Sequence, residues 1–427
     1  MQSLTRYPYI NLKTMVVSSV NKTKLQNLYS SFQHFTMLVI LLPNFLHVTL
    51  RSSRSLTYFL QDMVELILCA PLYWGLLYVA NICTRLETFL DLMDQPLSSM
   101  DINIFQKCKR RGKLYSQFFF CLFICGVIVN IFEAFIPLSQ EETETLRHLY
   151  RSKYPAKRHP IPVYFVLFDE TEGWQYVAIF ILEVYYFYLL ACIGTSLLSI
   201  MPLTALQIKG YYEILCQKIM MLGDLEIEES LQEVKNIDPK DNDPTVSTKQ
   251  TLNATEKKHQ IHLLRMTKEI NEKRHCTKII KFHQMLLRFQ DELTTLFSPA
   301  VALLVIATNS AFSICLYQMV VILDMKAGIR FYEALITFVG IAFQFYFFCE
   351  SAELFNKCSE DIRRSIINCN WHKCTNQTRR QLILIFRRAQ KNNYMAFYSG
   401  AIIVNRAYAL SVARVGYKFV NFMRLQN

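Results

Sequence analysis

The stretch NWHKCTNQTRRQLILIFRRAQKN, Asn370–Asn392, is basic, contains neither Gly nor Pro, and lies just before the last apolar run of the chain. Thr375 or Asn376 can cap the start of a helix there. Apolar residues then recur at helical spacing beside basic ones: Leu382, Ile385, Phe386 and Ala389 beside Arg379, Arg380, Arg387, Arg388 and Lys391. The pattern predicts an amphipathic helix that either lies on a membrane surface, its charges against anionic lipid, or packs on another cytosolic helix.

The chain around this helix is unusually apolar. Hydrophobic residues make up 52% of its 427 residues, more than an ordinary soluble domain carries. About 20 helical residues cross a hydrocarbon core of roughly 30 Å, and seven runs are candidate spans: 35–50, 64–83, 118–138, 176–202, 296–323, 331–349 and 396–422. The first run is short and contains Pro43, which a membrane helix tolerates when its neighbours satisfy the freed backbone groups. The sequence therefore predicts an all-α, polytopic membrane protein with seven transmembrane helices.

The distribution of basic residues predicts the orientation. Residues 1–31 are polar, so we expect no cleavable signal peptide. With a cytosolic N-terminus, 33 Lys and Arg residues lie inside and 9 outside; without the longest loop the numbers are 19 and 9. This bias predicts a cytosolic N-terminus and an extracellular C-terminus, the orientation opposite to that of a G-protein-coupled receptor.

Several classes of protein are disfavoured. The net charge of +12 is mostly loop charge, so it does not indicate nucleic-acid binding. None of the thirteen cysteines falls in a predicted external loop, which predicts no disulfide. Cys369, His372 and Cys374 fit no zinc spacing. No phosphate-binding glycine loop, GxSxG or HExxH motif is present, so we expect neither enzyme activity nor a cofactor.

Three parts of the chain are expected. Residues 1–202 hold the N-terminal tail and the first four spans. Residues 203–295 form a cytosolic connection with helical extensions around a polar, disordered middle at 236–255. Residues 296–427 hold the last three spans, with an amphipathic helix at about 371–392 and a final helix at about 396–425. The apolar stripe of Phe282, Leu286 and Phe289 either packs on the chain's own neighbours or forms a seam between subunits.

The last run carries Arg406, Arg414, Lys418 and Arg424. At 100° per residue these charges share one side of a helix with Tyr417 and Asn421. Charges inside a membrane are costly unless they face water or protein, so the stripe predicts a wet cavity or a pore shared between subunits. Alternatively, Lys418 and Arg424 extend to the interface and Arg406 is buried against acidic partners.

The outer halves of the spans offer side chains for an apolar pocket that would take a small volatile or lipid-like ligand. The candidates are Leu68, Leu72, Val129, Phe132, Phe180, Val184, Tyr185, Tyr317 and Phe338, with Phe135 and Phe343 nearby. Glu133 and Glu183 are expected either to contact the ligand or to pair with Arg406 or Arg414. The loop 139–175 is rich in Pro and aromatic residues and is expected to form either an ordered lid over the spans or a solvated loop.

Two stretches of the last third resemble insect odorant receptors: LFSPAVALLVIATNSAFSICLYQ at 296–318, and QFYFFCESAELFNKCSEDIRRSIINCNWHKCTNQTRRQLILIFRRAQKN at 344–392. The resemblance implies a plasma-membrane subunit of a tetrameric, ligand-gated cation channel, assembled with a shared odorant co-receptor. It also implies that the odorant lies in the outer half of the bundle, among spans two to six. The connection lacks the extended form of the co-receptor, so an odorant-tuned subunit is expected.

The resemblance also assigns roles to residues. It implies a subunit anchor at Phe282, Leu286, Phe289, Trp371, Leu382, Phe386, Arg387 and Arg388, and a pore or gate at Tyr417, Lys418, Asn421, Phe422, Leu425 and Gln426. Where the family reads close to aYSyFtlL, this chain has GYKFVNFM, with Lys418 at the usual Ser. Two alternative functions are a gustatory-type channel, whose TYhhhhhQF ending is absent, and a secondary transporter, for which internal repeats would be expected.

Overall fold

The structure is a computed structural model that describes residues 6–15, 24–96, 102–137, 140, 143–144, 147–148, 154–155, 157–223, 249–324, 328–391 and 393–426. Within these ranges the chain is almost entirely helical. The helices are α1 Arg6–Met15, α2 Lys24–Leu46, α3 Leu56–Asp94, α4 Ile102–Glu133, α5 Gly173–Met220, α6 Lys249–Asp324, α7 Gly328–Asn368, α8 Asn376–Gln390 and α9 Arg406–Gln426. Strands β1 Met395–Phe397 and β2 Ile402–Val404 pair antiparallel.

Six of these helices, α2 to α7, contain stretches long and apolar enough to cross a membrane. Pro43 lies inside α2, so the first predicted run is helical despite its proline. The described helix α9 does not meet the same criterion, because Arg406, Arg414, Lys418 and Arg424 fall within its 21 residues. The all-α, polytopic architecture is confirmed.

The most buried helix is α5, which packs against α3, α4, α6 and α7. Its approach to α4 is unusually close at Gly194. A Cβ atom there would lie 2.6 Å from Phe123 Cε1 on α4, closer than side-chain atoms approach in ordinary packing. The absence of a side chain at this position therefore sets the spacing of two helices.

The amphipathic helix α8 packs on the chain's own helices α6 and α7. Thr375 is its N-cap, and its side chain accepts a hydrogen bond from the backbone N–H of Thr378. The backbone N–H of Thr375 also donates to Glu272 Oε2 of α6 at 2.8 Å. Of the two locations that the sequence allowed, the packed one is therefore observed.

Helix α6 runs for 76 residues and contains Pro299. The predicted disordered segment 236–255 overlaps its start: residues 236–248 lie outside the described residues, whereas 249–255 belong to the helix. The prediction was wrong for those seven residues because no Pro or Gly follows until Pro299 and good helix formers such as Ala254, Glu256 and Lys257 extend the helix N-terminally.

A β-hairpin separates α8 from α9, so the predicted helix at 396–425 begins only at Arg406. Tyr398 and Gly400 have φ values of 50° and 98°, which a right-handed α-helix does not accommodate. The β-branched residues 402–404 then favour a strand. Met395, Phe397 and Val404 are buried, which makes the hairpin part of the core.

Candidate functional site

A cavity of about 1100 Å³ lies between α3, α4, α5, α6 and α7. On α6 its wall extends from Leu304 to Val321, a distance of about 25 Å at roughly 1.5 Å per residue. Most lining side chains are apolar; the polar ones include Gln61, Asn130, Thr308, Gln318, Thr337 and Gln344. A large apolar cavity with a few polar groups is typical of a small-molecule site.

Helical spacing explains which side chains reach the cavity. On α4, the lining residues are Leu122, Phe123, Cys125, Gly126, Val127, Asn130 and Glu133, which mostly recur every three or four positions on one face. Phe132, which lies between two of them, faces away and is exposed. The cavity is therefore built from one face of each span.

Of the predicted ligand contacts, Leu68, Leu72, Glu133 and Tyr317 line the cavity. Six others are not among its lining residues: Val129, Phe132, Phe180, Val184, Tyr185 and Phe338. Phe132 is 67% exposed and Val184 38% exposed, because both lie on outward faces. Phe180 packs on Phe135, Tyr185 on Phe32 of α2, and Phe338 on Phe312.

The sequence analysis missed the amide and threonine side chains of the lining, which are Gln61, Asn130, Thr308, Gln318, Thr337 and Gln344. The Nε2 atom of Gln318 is buried and has no hydrogen-bond partner in the described part of the chain. A buried amide without a partner is costly, which makes it a candidate donor to a ligand. Its signal in the sequence is an amide next to Tyr317 within an apolar span.

Residues 157–172, called the lid here, cover the cavity at the ends of α4 and α5. Arg158 forms an ion pair with Glu133, and Arg51 forms one with Glu170. Two hydrogen bonds tie the lid to α2. The Tyr164 N–H donates to the Pro43 carbonyl at 3.1 Å, and the Asn44 side chain donates to the Pro162 carbonyl at 2.9 Å. Within residues 157–172 the predicted loop is therefore an ordered lid rather than a solvated loop, whereas residues 139, 141–142, 145–146, 149–153 and 156 lie outside the described residues.

His159 is the most buried ionisable group of the lid, with 5% of its side chain exposed. Its Nδ1 lies 3.1 Å from Glu183 Oε2, and its Nε2 lies 3.1 Å from the Glu170 carbonyl oxygen. Burial lowers the pKa of His159, but hydrogen bonding and charge from Glu183, with the Glu170 carbonyl, outweigh it, so the pKa is raised. Both neighbours are acceptors, which favours an imidazolium that donates to each.

The expected pairing of Glu133 or Glu183 with Arg406 or Arg414 was wrong. The two glutamates pair with lid residues Arg158 and His159, which lie at the same end of the bundle. Arg406 instead donates from Nε to Glu350 Oε2 of α7 at 2.8 Å, because α9 begins at the opposite end of the spans.

The final helix α9 packs on α6 beside the cavity. A Cβ atom at Gly416 would lie 3.0 Å from the ring of Phe312, so the helices approach closely there. The rings of Tyr317 and Phe419 meet edge to face with centroids 6.3 Å apart. Tyr317 therefore contacts α9 and lines the cavity, joining the two by a single side chain.

The predicted pore residues lie on the remaining faces of α9. Tyr417, Lys418, Asn421, Phe422 and Leu425 are exposed, whereas Val412, Gly416 and Val420 are buried. The side chain of Gln426 lies outside the described part of the structure. The side chains of Tyr417, Lys418 and Asn421 are therefore accessible to other subunits or to water.

The predicted anchor residues divide into two groups. Leu286, Phe289 and Leu382 are buried in the chain's own core, and Phe282 and Phe386 pack against it. Trp371, Arg387 and Arg388 are exposed. The apolar stripe on α6 therefore packs on the chain's own neighbours, which is the first alternative. Exposed apolar side chains that the sequence analysis missed stand nearby: Ile367, Ile383 and Leu384.

Known proteins are similar to this chain in sequence and in fold. A family model described as 7tm Odorant receptor matches residues 85–400. Odorant receptor 82a of Drosophila melanogaster is 22% identical over 146 residues, 34% of this chain and 37% of that protein. Odorant receptor 85c of the same species is 28% identical over 153 residues, 35% of this chain and 38% of that protein. The aligned region thus spans little more than a third of either relative.

The solved structure of the olfactory receptor OR5 from Machilis hrabei superimposes with a TM-score of 0.72 at 13% identity, covering 99% of this chain and 97% of that one. Its complex with eugenol gives a TM-score of 0.69 at 12% identity, covering 99% and 98%. These structures establish the fold, and the family match covers well over half of the sequence. The protein is a multi-pass membrane protein, and it belongs to the 7tm odorant receptor family.

Proposed function

We propose that the chain is the odorant-tuned subunit of a heteromeric cation channel, assembled as a tetramer with a shared odorant co-receptor, with no cofactor. A small volatile ligand occupies the cavity, and α9 lines part of the pore. The observation that carries the proposal is the position of Tyr317, which lines the cavity and contacts Phe419 of α9. A ligand that displaces Tyr317 changes the packing of α9, and so the population of the open pore.

Assembly is supported by surfaces that one chain leaves uncovered. Exposed apolar side chains cluster on and beside α8, where Trp371, Ile383 and Leu384 are each about half exposed or more. These residues, together with Arg387 and Arg388, replace the buried members of the predicted anchor set as subunit contacts. The exposed polar face of α9 requires water or further subunits around it, which a central pore supplies.

Coexpression tests the proposal. The chain, with and without the co-receptor, is expressed in a cell that has no odorant response, and cation current is recorded during a panel of volatiles. We expect ligand-evoked current from the pair. The proposal fails if both subunits reach the cell surface and no volatile of a broad panel evokes current.

Tyr317→Ala is expected to reduce ligand sensitivity by tenfold or more while surface expression changes little, because the substitution removes the ring that contacts Phe419. Tyr317→Phe retains that ring and serves as the matched control. Dose–response curves and surface biotinylation are measured on the same cells. Parallel losses of current and surface protein would assign Tyr317 to packing alone.

Gln318→Leu is expected to separate ligands by their polarity. A ligand oxygen that accepts a hydrogen bond from the buried Nε2 loses that bond, at a cost of about 1–3 kcal/mol, roughly five- to 150-fold in sensitivity. A hydrocarbon of the same length loses nothing. Dose–response curves for a ketone and its matched alkane check this, and equal shifts for both would contradict the role of Gln318.

A further inference from the structure

The cavity wall is incomplete between α4 and α7. Leu122, Cys125 and Gly126 of α4 face Ile336, Val339 and Gly340 of α7, and all six line the cavity. Yet Cys125 is exposed, and Ile336 and Val339 are 40% and 38% exposed. The same side chains therefore border the cavity and the outer surface of the bundle. We call this opening the α4–α7 cleft.

The two glycines create the opening. A Cβ atom at Gly126 would meet no atom of the described residues within 4 Å, and one at Gly340 would meet only the side chain of Leu122, at 3.8 Å. Larger residues at these positions would occupy the space between the helices. The gap therefore exists because Gly126 and Gly340 have no side chains to fill it. Gly194, in contrast, lies where two helices are closely packed.

Aromatic rings close the cleft on the side towards α8. The ring of Phe118 on α4 lies 5.8 Å from that of Phe343 and 5.2 Å from that of Phe347 on α7, between centroids. Tyr115 adds an edge-to-face contact with Phe347 at 5.4 Å. The opening is therefore bounded on that side.

The cleft opens at a depth where hydrocarbon surrounds the protein. Gly126 precedes the end of α4 at Glu133 by seven residues, about 10 Å of helix, and the apolar core of a bilayer is roughly 30 Å thick. The residues at its mouth carry no charge and no hydrogen-bonding group beyond one thiol. An apolar molecule crosses such an opening without desolvation cost, whereas a strongly polar one does not.

We propose that the ligand of the receptor inferred above reaches its cavity sideways from the bilayer, through the α4–α7 cleft. The proposal rests on the proposed function and narrows it: the ligands are molecules that partition into hydrocarbon, with long apolar chains or fused rings and at most one weakly polar group. The length of the cavity, about 25 Å along α6, suits extended molecules of this class. The bilayer then concentrates the ligand at the opening.

Two cysteines of α4 provide a matched test. Cys125 lines the cleft, while Cys121, also exposed, lies one turn away and does not line the cavity. Cys121→Ala and Cys125→Ala receptors are coexpressed with the co-receptor and treated with benzyl methanethiosulfonate. Mass spectrometry verifies that the retained member of this pair is labelled and that labelling of the other cysteines is the same in both receptors. We expect the benzyl group on Cys125 to slow the onset of current for a long-chain ligand several-fold and the group on Cys121 to leave it unchanged. Equal onset in the two labelled receptors would overturn the proposal.

A second pair of variants tests the cleft without chemical labelling. Gly126→Leu fills the opening, and Gly126→Ala adds one methyl group to open space. We expect the onset and the washout of current to slow together in Gly126→Leu relative to Gly126→Ala, because both entry and exit use the opening. Faster washout in Gly126→Leu would show lost affinity instead and would contradict the route. If the untreated receptor gives no current with any volatile, the proposed function fails; if it gives normal current and labelled Cys125 changes nothing, only the route through the cleft fails.

Discussion

Replacing Gly194 with alanine is expected to lower ligand sensitivity at least tenfold, the largest effect of any single methyl group in the described residues around the cavity. The new Cβ would lie 2.6 Å from Phe123 Cε1, so the ring must move. Phe123 lines the cavity, and the cavity is the free space beside it. The displaced ring therefore occupies volume that the ligand needs, and overpacking of this kind costs about 1–3 kcal/mol in addition.

The measurement is a dose–response curve normalised to surface protein. Gly126→Ala on α4 is the matched control, because its methyl group meets no atom within 4 Å among the described residues. Phe123→Leu in the Gly194→Ala background shortens the side chain and is expected to restore most of the sensitivity. Unchanged sensitivity in Gly194→Ala would show that α4 and α5 separate without consequence for the cavity.

His159→Ala is expected to destabilise the receptor by about 3–5 kcal/mol, because it leaves a buried carboxylate without its partner. Glu183 is fully buried, and its contact with His159 is 3.1 Å long. The thermal midpoint of the purified protein should fall, and protease cleavage within the lid should increase. Replacing both residues with leucine should recover much of the loss, since apolar pairs often substitute for buried ion pairs. A double variant as unstable as His159→Ala would exclude the pair as the cause.

The same histidine makes lid stability depend on pH. The pKa of His159 is raised above its ordinary value of 6.5 by Glu183 and the Glu170 carbonyl. The stabilisation is therefore fully present below about pH 6.5 and is lost as the pH rises through the raised pKa. Wild-type midpoints measured across this range should decline on the alkaline side more steeply than those of His159→Asn.

The sequence predicted the helices better than it predicted which face of each helix points into the bundle. Six spans and the capped helix at Thr375 follow from apolar runs and local hydrogen-bonding chemistry. The inward faces cannot be predicted in this way, because lipid is as apolar as a protein core. Phe132 faces outward and Phe123 lines the cavity, although both are phenylalanines of one helix. Aromatic content therefore could not identify the cavity wall.

The pairing of the polar side chains could not be predicted from the sequence either. Arg406 and Glu350 are 56 residues apart, and His159 and Glu183 are 24 apart, so their pairing depends on which spans are neighbours. The hairpin between α8 and α9 was missed because its strands are three residues long. Its turn residues, Tyr398 and Gly400, were embedded in an apolar run that also fits a helix.

Helix α6 divides its contacts at Pro299. Before the proline, Glu272 accepts a hydrogen bond from the Thr375 N–H at the start of α8. Gln290 accepts one from the Asn393 side chain at 2.7 Å, and Ser298 accepts one from the Tyr398 N–H at 3.0 Å. After it come the wall of the cavity and the contacts with α9. Substitutions beyond Pro299 can thus alter the wall of the cavity while the contacts that hold α8 and the hairpin stay intact. One continuous helix therefore allows the chemistry of the cavity to diverge between related sequences without disturbing the packing at its other end.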